Sequence, residues 1–196
     1  MASLLSAWLG LGDTAPDHII SPHLVLRLPR PEDYQSWVAL RRASRAFLEP
    51  WEPLWNEDDF TPAAFRRRVR RCRALALADE AWRYLIIRRS DDALLGGLSL
   101  SNIRRGDADT ASLGYWIGEP FARQGTMSEA VNAAVAHAFG SLGLHRIEAA
   151  CLPENEASIR LLARCGFDHE GYARAYLKIA GRWRDHLLFA RLSGSL

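Results

Sequence analysis

The sequence contains few cysteines and no long hydrophobic run, and both absences exclude classes of protein. Its three cysteines, Cys72, Cys151 and Cys165, show neither the spacing of metal ligands nor the even number of a disulfide framework. Each has apolar neighbours, which predicts buried, reduced thiols and a cytoplasmic protein. No segment is long enough to span a bilayer, so we expect no membrane insertion. We also expect no metal, because no cluster of ligand side chains is evident.

The overall charge gives no bias towards nucleic acid, since the formal net charge is only +2 over 196 residues. An apolar content of 48% and a charged content of 24% are typical of one soluble globular domain. Residues 1–20 contain a short apolar run without a basic start, which predicts an N-terminal arm or short helix. A single folded domain is expected over residues 21–196, and its oligomeric state is left open.

The hydrophobic pattern predicts one mixed domain with helices on both faces of a sheet. Helices are expected to begin at Pro31 and at Thr61-Pro62, and two more are expected over 128–142 and 155–165. Gly166 is the usual left-handed stop for the last of these. Strands are predicted over 23–28, 82–88, 94–103, 111–117, 145–152, 167–179 and 183–192.

The most informative segment is the loop from Glu119 to Met127. It follows an apolar run, Leu113 to Ile117, and leads directly into a helix at Ser128. Such a loop directs several unpaired backbone N–H groups and the positive end of a helix at one point. Because that arrangement suits phosphate, the segment predicts a phosphorylated cofactor.

The chain resembles the GCN5-related N-acetyltransferases, and within them the RimJ/RimL branch. The generic loop, Gln/Arg-x-x-Gly-x-Gly/Ala, falls on 122–127, where Gly125 matches; Met127 is normal for the branch, and Ala122 departs from the pattern. The wider resemblance runs from about residue 22 to 192, and the tail Gly181-Arg182-Trp183-Arg184-Asp185-His186 is similar to the RimJ side. The other matching segments are 45–53, 98–102, 113–115, 125–130, 145–147, 155–158, 166–167 and 170–174.

The resemblance implies a fold, a cosubstrate and an activity. The fold would be a single α/β (α+β) domain with a mixed, mostly antiparallel central sheet of about seven strands and helices on both faces. The activity would be transfer of acetyl from acetyl-CoA to a protein N-terminus, with ribosomal protein S5 as the RimJ-type substrate. The amine would attack directly, without a covalent enzyme intermediate.

The resemblance also implies which residues hold the cofactor. A backbone N–H of Tyr115, Trp116 or Ile117 would stabilise the oxyanion, and the three alternatives stay open. The backbone of 123–128 would hold the pyrophosphate, and Asn155 would contact the pantetheine arm. The full set of cofactor candidates is Tyr115, Trp116, Ile117, Arg123, Gln124, Gly125, Thr126, Met127, Ser128, Asn155 and Ser158.

Acetyl transfer to an amine needs a neutral amine, donors for the oxyanion and a donor for the departing thiolate. The pKa of a peptide α-amine lies about 2.5 units below that of lysine, which corresponds to about 3.4 kcal/mol of deprotonation cost. An N-terminal acetyltransferase therefore manages with a weak base. Many family members have a tyrosine four residues after Ser158 that protonates the thiolate. Here that position is Leu162, so Ser158 becomes the candidate donor.

Glu52 and Glu148 are the two acidic candidates for the base or for an anchor of the amine. Glu52 lies in a Trp-rich loop that the family places near the acceptor channel, and Glu148 lies on the strand beside the cofactor strand. The alternatives are a solvated Glu52 and a structurally paired Glu148. The candidate substrate-binding residues are Trp51, Glu52, Tyr172 and Tyr176, and the two tyrosines equally suit core packing.

Arginines at 66, 67, 68, 70, 71 and 73 crowd one predicted helix, opposite its apolar face. Such a run is usually a solvent-exposed helix face. The more specific alternative is contact with the ribosome or rRNA. Two rival functions also stay open on the same fold. One is acetylation of a small-molecule amine or antibiotic, and the other is a non-catalytic ribosome-binding assembly factor that retains an acetyl-CoA site.

Overall fold

A computed structural model describes residues 18–194, and the expected N-terminal arm lies largely outside them. Eight strands form one sheet in the order β1-β2-β3-β4-β5-β6-β8-β7. All neighbouring pairs are antiparallel except β5 and β6, which are parallel. The strands are β1 (His18–Ile20), β2 (Leu24–Arg27), β3 (Trp82–Arg88), β4 (Leu94–Arg104), β5 (Thr110–Ile117), β6 (Arg146–Cys151), β7 (Asp168–Ile179) and β8 (Arg182–Leu192).

Within residues 18–194, five helices and several short 3₁₀ turns connect these strands. The helices are α1 (Tyr34–Ala43), α2 (Arg45–Leu48), α3 (Pro62–Leu77), α4 (Thr126–Gly140) and α5 (Glu156–Arg164). Helix α4 begins two residues earlier than the sequence pattern predicts, because Gly125 adopts the left-handed conformation and caps it. Within residues 18–194 no helix is long and apolar enough to cross a membrane.

The sheet has eight strands where about seven were predicted. The additional strand is β1, the last three residues of the expected N-terminal arm, which pairs with β2 at the edge of the sheet. Three residues are too few to show the alternating pattern by which strands are predicted.

Two hydrophobic clusters lie on opposite faces of the sheet. On one face, α4 packs through small side chains such as Ala130, Ala134 and Ala138, all fully buried. On the other face, Trp37 of α1 and Phe65 and Val69 of α3 pack against β3 and β4. Alanines let α4 approach the sheet closely, so the loop that precedes it is held at the sheet's surface.

The sheet opens between β5 and β6. These strands pair only between Thr110–Leu113 and Arg146–Ala149, and beyond that point they have no pairing with each other. The last residues of β5 remain paired with β4 on their other side. The strands therefore diverge into a gap that leads to the loop before α4.

Candidate active site

The loop between β5 and α4 is fixed by contacts with its surroundings and within itself. The buried hydroxyl of Ser44 accepts a hydrogen bond from the backbone N–H of Glu119 at 2.9 Å. The Gln124 side-chain amide donates to the carbonyl of Pro120, also at 2.9 Å. That bond uses one N–H of the Gln124 side-chain amide within the loop. The Arg123 side chain, in contrast, is exposed to solvent.

The start of α4 presents a row of unused backbone donors. Arg123 and Gly125 both have positive φ, 61° and 81°, which turns successive N–H groups towards one side. From Arg123 through Ser128, these N–H groups have no acceptor among residues 18–194. A side-chain carbon on Gly125 would meet no atom within 4 Å, so the space above it is open. The cradle predicted for a pyrophosphate therefore has the required donors and room.

The first turn of α4 is also tied to the N-terminal edge of the sheet. Glu129 accepts hydrogen bonds from the Ser21 hydroxyl at 2.6 Å and from the His23 backbone N–H at 2.8 Å. Its second oxygen lies 3.0 Å from Nδ1 of His23. Burial raises the pKa of Glu129, but the hydrogen bonds from Ser21 and His23 outweigh it and lower the pKa.

The register of β5 decides which of its backbone N–H groups face the gap. The N–H of Gly118 donates to the carbonyl of Leu95 at 2.8 Å, on the side of β4. Because N–H directions alternate along an antiparallel strand, Trp116 also faces β4. The N–H groups of Tyr115 and Ile117 therefore face the gap. A donor on this strand must face the gap if it is to stabilise the oxyanion.

Two hydroxyls meet beside the gap, those of Tyr115 and Ser158. Burial raises the pKa of Tyr115 far above its ordinary value, and a hydrogen bond with Ser158 offsets this only in part. Tyr115 thus stays protonated and can donate to a neighbouring anion. Asn155 caps α5 through its side-chain oxygen, which accepts from the Ser158 N–H at 3.1 Å. Leu162, at the position of the usual family tyrosine, is fully buried.

Two of the three cysteines lie near this hydroxyl pair. Cys151 and Cys165 are close enough to influence the pKa of Tyr115, and all three cysteines are free and buried. Burial raises the pKa of Cys151 to about 11. It also raises the pKa of Cys165, so both thiols are protonated at neutral pH.

Glu52 is tightly paired. Its carboxylate accepts from the two terminal nitrogens of Arg41 at 2.8 and 2.5 Å, and from the Trp55 indole N–H at 2.8 Å. Both oxygens are therefore engaged, and the pair would have to open before Glu52 could take a proton from an amine.

The loop that carries Glu52 contacts the turn between β7 and β8. The Ala180 N–H donates to the Glu52 carbonyl at 2.9 Å, and Leu54 packs against Gly181. The ring of Trp51 is exposed on this loop, and the rings of Tyr172 and Tyr176 are exposed on β7. Trp51 is the most buried of the three, and the Tyr172 hydroxyl donates to Asp185.

His186 of β8 is buried on the same side of the sheet, with the Tyr176 ring 5.7 Å away. Its Nδ1 lies 3.0 Å from the carbonyl oxygen of Arg184. A carbonyl only accepts, so Nδ1 carries the hydrogen, and Nε2 of the neutral ring is left with a lone pair.

Glu148 lies in the paired part of β6, opposite Ser112 of β5 and Ala190 of β8, and not in the gap itself. Its carboxylate is 3.0 Å from Nε of Arg146 and 4.0 Å from Arg104. Arg146 in turn binds Glu170 through its other nitrogens. Glu148 is thus a half-exposed member of a charge network across three strands.

The arginine-rich face of α3 is exposed, and the helix contains no acidic residue. None of its six arginines forms an ion pair or hydrogen bond within residues 18–194. Elsewhere in the fold most arginines are paired, for example Arg27 with Asp33 and Arg105 with Asp79. Helix α3 therefore carries unneutralised positive charge.

Among residues 18–194, no group of three or more His, Cys, Asp or Glu side chains is placed to hold a metal ion.

Comparison with known proteins agrees with this site. Residues 23–168 match the family described as "Acetyltransferase (GNAT) domain". The chain belongs to the GNAT acetyltransferase family. This GNAT protein is 34% identical over 172 residues to the [ribosomal protein uS5]-alanine N-acetyltransferase of Escherichia coli, covering 88% of this chain and 89% of the relative.

Two solved structures share the GNAT fold closely. RimJ of Mycobacterium smegmatis, in complex with CoA-disulfide, has a TM-score of 0.85 and 32% identity, covering 91% of this chain and 88% of that one. The ribosomal-protein-S5-alanine acetyltransferase of Vibrio fischeri has a TM-score of 0.83 and 31% identity, covering 89% and 96%. The protein is therefore an acyltransferase of the RimJ/RimL type that uses acetyl-CoA.

The structure brings the predicted cofactor residues together around the gap and the start of α4. Glu52 lies elsewhere, where its loop contacts the β7–β8 turn. Trp51 is on that loop, Tyr172 and Tyr176 are on β7, and Glu148 lies in the paired part of β6. Sequence reasoning missed two features, the Tyr115 hydroxyl beside Ser158 and the free lone pair of His186. The first had a signal, since the usual tyrosine was known to be replaced by Leu162 and another hydroxyl was needed.

Proposed function

We propose that this acetyltransferase modifies the N-terminal α-amine of a protein, with ribosomal protein S5 as the first substrate to test. The observation that carries the proposal is the gap between β5 and β6, which has backbone donors at its edge and the donor-lined start of α4 at its end. The activity named for the Escherichia coli relative, 34% identical, supports the choice of S5.

In this proposal, acetyl-CoA supplies an activated acetyl thioester, and the chain's own groups bind and orient it. The N–H groups from Arg123 to Ser128 hold the diphosphate, and the Asn155 side chain, whose amide NH₂ is uncommitted, contacts the pantetheine arm. The N–H groups of Tyr115 and Ile117 stabilise the oxyanion of the attacked carbonyl. The paired hydroxyls of Tyr115 and Ser158 donate towards the departing sulfur.

The proton of the attacking amine needs only a weak acceptor. Glu52 and Glu148 are retained as candidates, and His186 joins them because its Nε2 lone pair lies on the acceptor side of the sheet. Since Glu52 is bound by Arg41 and Trp55, we propose that it shapes the acceptor channel by holding the loop and anchors the amine. Water molecules then carry the proton of the amine to the nearest of the three candidate groups, Glu52, Glu148 or His186.

We further propose that the exposed arginines between Arg66 and Arg73 contact rRNA when the substrate is presented on the ribosome. The support is the absence of any carboxylate partner for these side chains in the described part of the chain. Cationic side chains without partners gain free energy by neutralising phosphates and releasing counterions.

The proposed activity is tested by a thiol-release assay with acetyl-CoA. The acceptors are a peptide with the N-terminal sequence of S5, the same peptide with a blocked N-terminus, and free lysine. Turnover of the unblocked peptide alone supports the proposal. Turnover of lysine or other small amines would favour a small-molecule acetyltransferase, and no turnover of any acceptor would favour the non-catalytic assembly factor.

A further inference from the structure

A cavity of about 260 Å³ adjoins the Trp-rich loop that carries Glu52. It is bounded by α1, the Trp-rich loop and α3, on the side of the sheet away from α4. Apart from Glu52, none of the residues around it has a role in the reaction proposed above. Its charged lining residues are Arg41, Glu52, Asp59 and Arg68, and its aromatic lining residues are Trp37, Trp55 and Phe60.

Aromatic rings form much of the cavity wall. Trp37 and Phe60 are stacked, with centroids 5.4 Å apart and planes inclined by 24°. Trp55 lies 5.3 Å from the same phenylalanine. Because aromatic walls lower the local polarity, a charged group held against them is attracted to its partners more strongly than in bulk water.

Arg41 and Glu52 neutralise each other within the cavity wall. The pair is largely buried, with 11% of the arginine side chain and 21% of the glutamate side chain exposed. The Arg41 guanidinium stacks between two indoles, 4.0 Å from the centroid of Trp55 and 4.8 Å from that of Trp116. Its Nε is buried and has no acceptor in the described part of the chain. One donor therefore remains unused even though both carboxylate oxygens are taken.

Arg68 contributes a charge that is not neutralised. Its guanidinium lies over the Trp37 ring, 4.9 Å from the centroid, and no carboxylate within residues 18–194 lies within ion-pair distance. Burial by the surrounding side chains lowers the pKa of this guanidinium, although part of the residue is exposed along the helix. Asp59 influences Arg68 only at longer range. A carboxylate that entered the cavity would supply the missing partner.

The cavity is close to the reacting end of the acceptor. Trp116, whose ring touches Arg41, is next in sequence to Tyr115, and the N–H of Tyr115 faces the gap. An extended peptide advances about 3.3–3.6 Å per residue, so the second to fourth residues of an acceptor are the positions that we consider for this contact. We propose that the cavity binds an acidic side chain, Asp or Glu, at one of these positions in the acceptor protein. This inference rests on the proposed acetylation of a protein N-terminus.

The kinetic test uses peptides that begin with Ala and carry either Glu or Gln at position two, three or four. At one position we expect the Glu peptide to have a KM about tenfold lower, as one charge-assisted hydrogen bond would give. Arg68→Gln should remove this preference, and Arg68→Lys should restore part of it. Arg83→Gln is the control, because Arg83 is exposed, is close enough to lower the pKa of Arg68, and does not line the cavity. Equal KM values for Glu and Gln at all positions, or a preference that survives Arg68→Gln, would overturn the inference.

A binding measurement separates this inference from the proposed function. The same peptides with acetylated N-termini are titrated into the enzyme by calorimetry, so no turnover is needed. Tighter binding of the Glu peptide that depends on Arg68 would support the cavity, and it would do so even if the unblocked peptides were not acetylated, a result that would overturn the proposed activity alone. Acetylation without any difference between Glu and Gln peptides would do the reverse. Free glutamate should not bind at the concentrations at which the peptides bind. Equal binding of free glutamate and the Glu peptide would show that the cavity binds a small molecule.

Discussion

Arg41 holds both carboxylate oxygens of Glu52, and this ion pair fixes the Trp-rich loop against α1. Both side chains are largely buried, so water cannot readily replace the hydrogen bonds between them. Removal of the arginine would leave a carboxylate with only Trp55 as a partner, whereas Glu52→Gln would keep a side-chain oxygen that still accepts from Arg41. The two substitutions are therefore not equivalent.

Arg41→Gln should lower the free energy of unfolding by about 2–4 kcal/mol, since breaking a largely buried pair leaves one charge uncompensated. Glu52→Gln should also destabilise, because it leaves Arg41 without a counter-charge, but by less, since the amide oxygen still accepts a hydrogen bond and two indoles remain beside the guanidinium. Urea unfolding followed by circular dichroism measures both. Equal small losses for the two variants would show that the loop does not depend on this pair.

Tyr115→Phe and Ser158→Ala should each lower kcat by about 10- to 100-fold, because each removes a donor near the departing sulfur. The double variant should lose less than the product of the single effects, since the two hydroxyls act together. Single-turnover kinetics with saturating acetyl-CoA isolates the chemical step. A single variant with unchanged kcat would remove that hydroxyl from the mechanism.

Gly125→Ala should destabilise the fold by about 1 kcal/mol and weaken CoA binding, because residue 125 has φ of 81° and a side chain disfavours that conformation. Gly140→Ala, at the other end of the same helix, is the matched control. Its φ is not positive and no atom lies within 4 Å of the added carbon, so stability should rise by about 0.5 kcal/mol. Calorimetric titration with CoA and thermal unfolding would check both. Unchanged CoA affinity in Gly125→Ala would contradict the assigned cradle.

The thiols should react slowly in the native enzyme. With a pKa of about 11, Cys151 is about one-thousandth thiolate at pH 8, whereas about a quarter of an ordinary cysteine is ionised. Burial also raises the pKa of Cys72 and Cys165. Raising the pH towards 11 should speed reaction with a disulfide reagent, as should unfolding in guanidinium. A thiol that reacts rapidly at pH 8 in the folded enzyme would contradict this.

Arg67→Glu combined with Arg71→Glu should weaken binding to ribosomes or rRNA and leave the acetylation of a free peptide unchanged. Both side chains are exposed on α3 and neither lines the cavity near Arg68. Sedimentation with ribosomes over a range of salt concentrations measures the contact, and the salt dependence should become shallower in the variant. Unchanged binding would leave this face as an ordinary solvated surface.

Local sequence signals were sufficient for most elements of the fold. The apolar run and the turn that follows it predicted the strand Trp82–Arg88 with the bounds that the structure has. Gly166, with φ of 72°, follows the end of α5 as predicted. The loop before α4 was identified because its turn residues and the following helix are adjacent in the chain. The family resemblance added the identity of the cofactor.

Other features depend on contacts between distant segments and could not be predicted from local pattern. Which of Tyr115, Trp116 and Ile117 faces the gap depends on the pairing of β5 with β4. The pairing of Glu52 with Arg41, and the cavity beside them, require α1, the Trp-rich loop and α3 to meet. Sequence reasoning could name these side chains without saying what they touch.

The attachment of Glu129 to Ser21 and His23 has a practical consequence for handling the enzyme. The end of α4 that we propose to bind phosphate is held by residues just beyond the first edge strand, so a deletion that reaches Ser21 or His23 would remove this attachment. An affinity tag is better placed at the carboxyl end. A truncation that removes Ser21 should weaken CoA binding, although Ser21 is not among the residues proposed to contact the coenzyme.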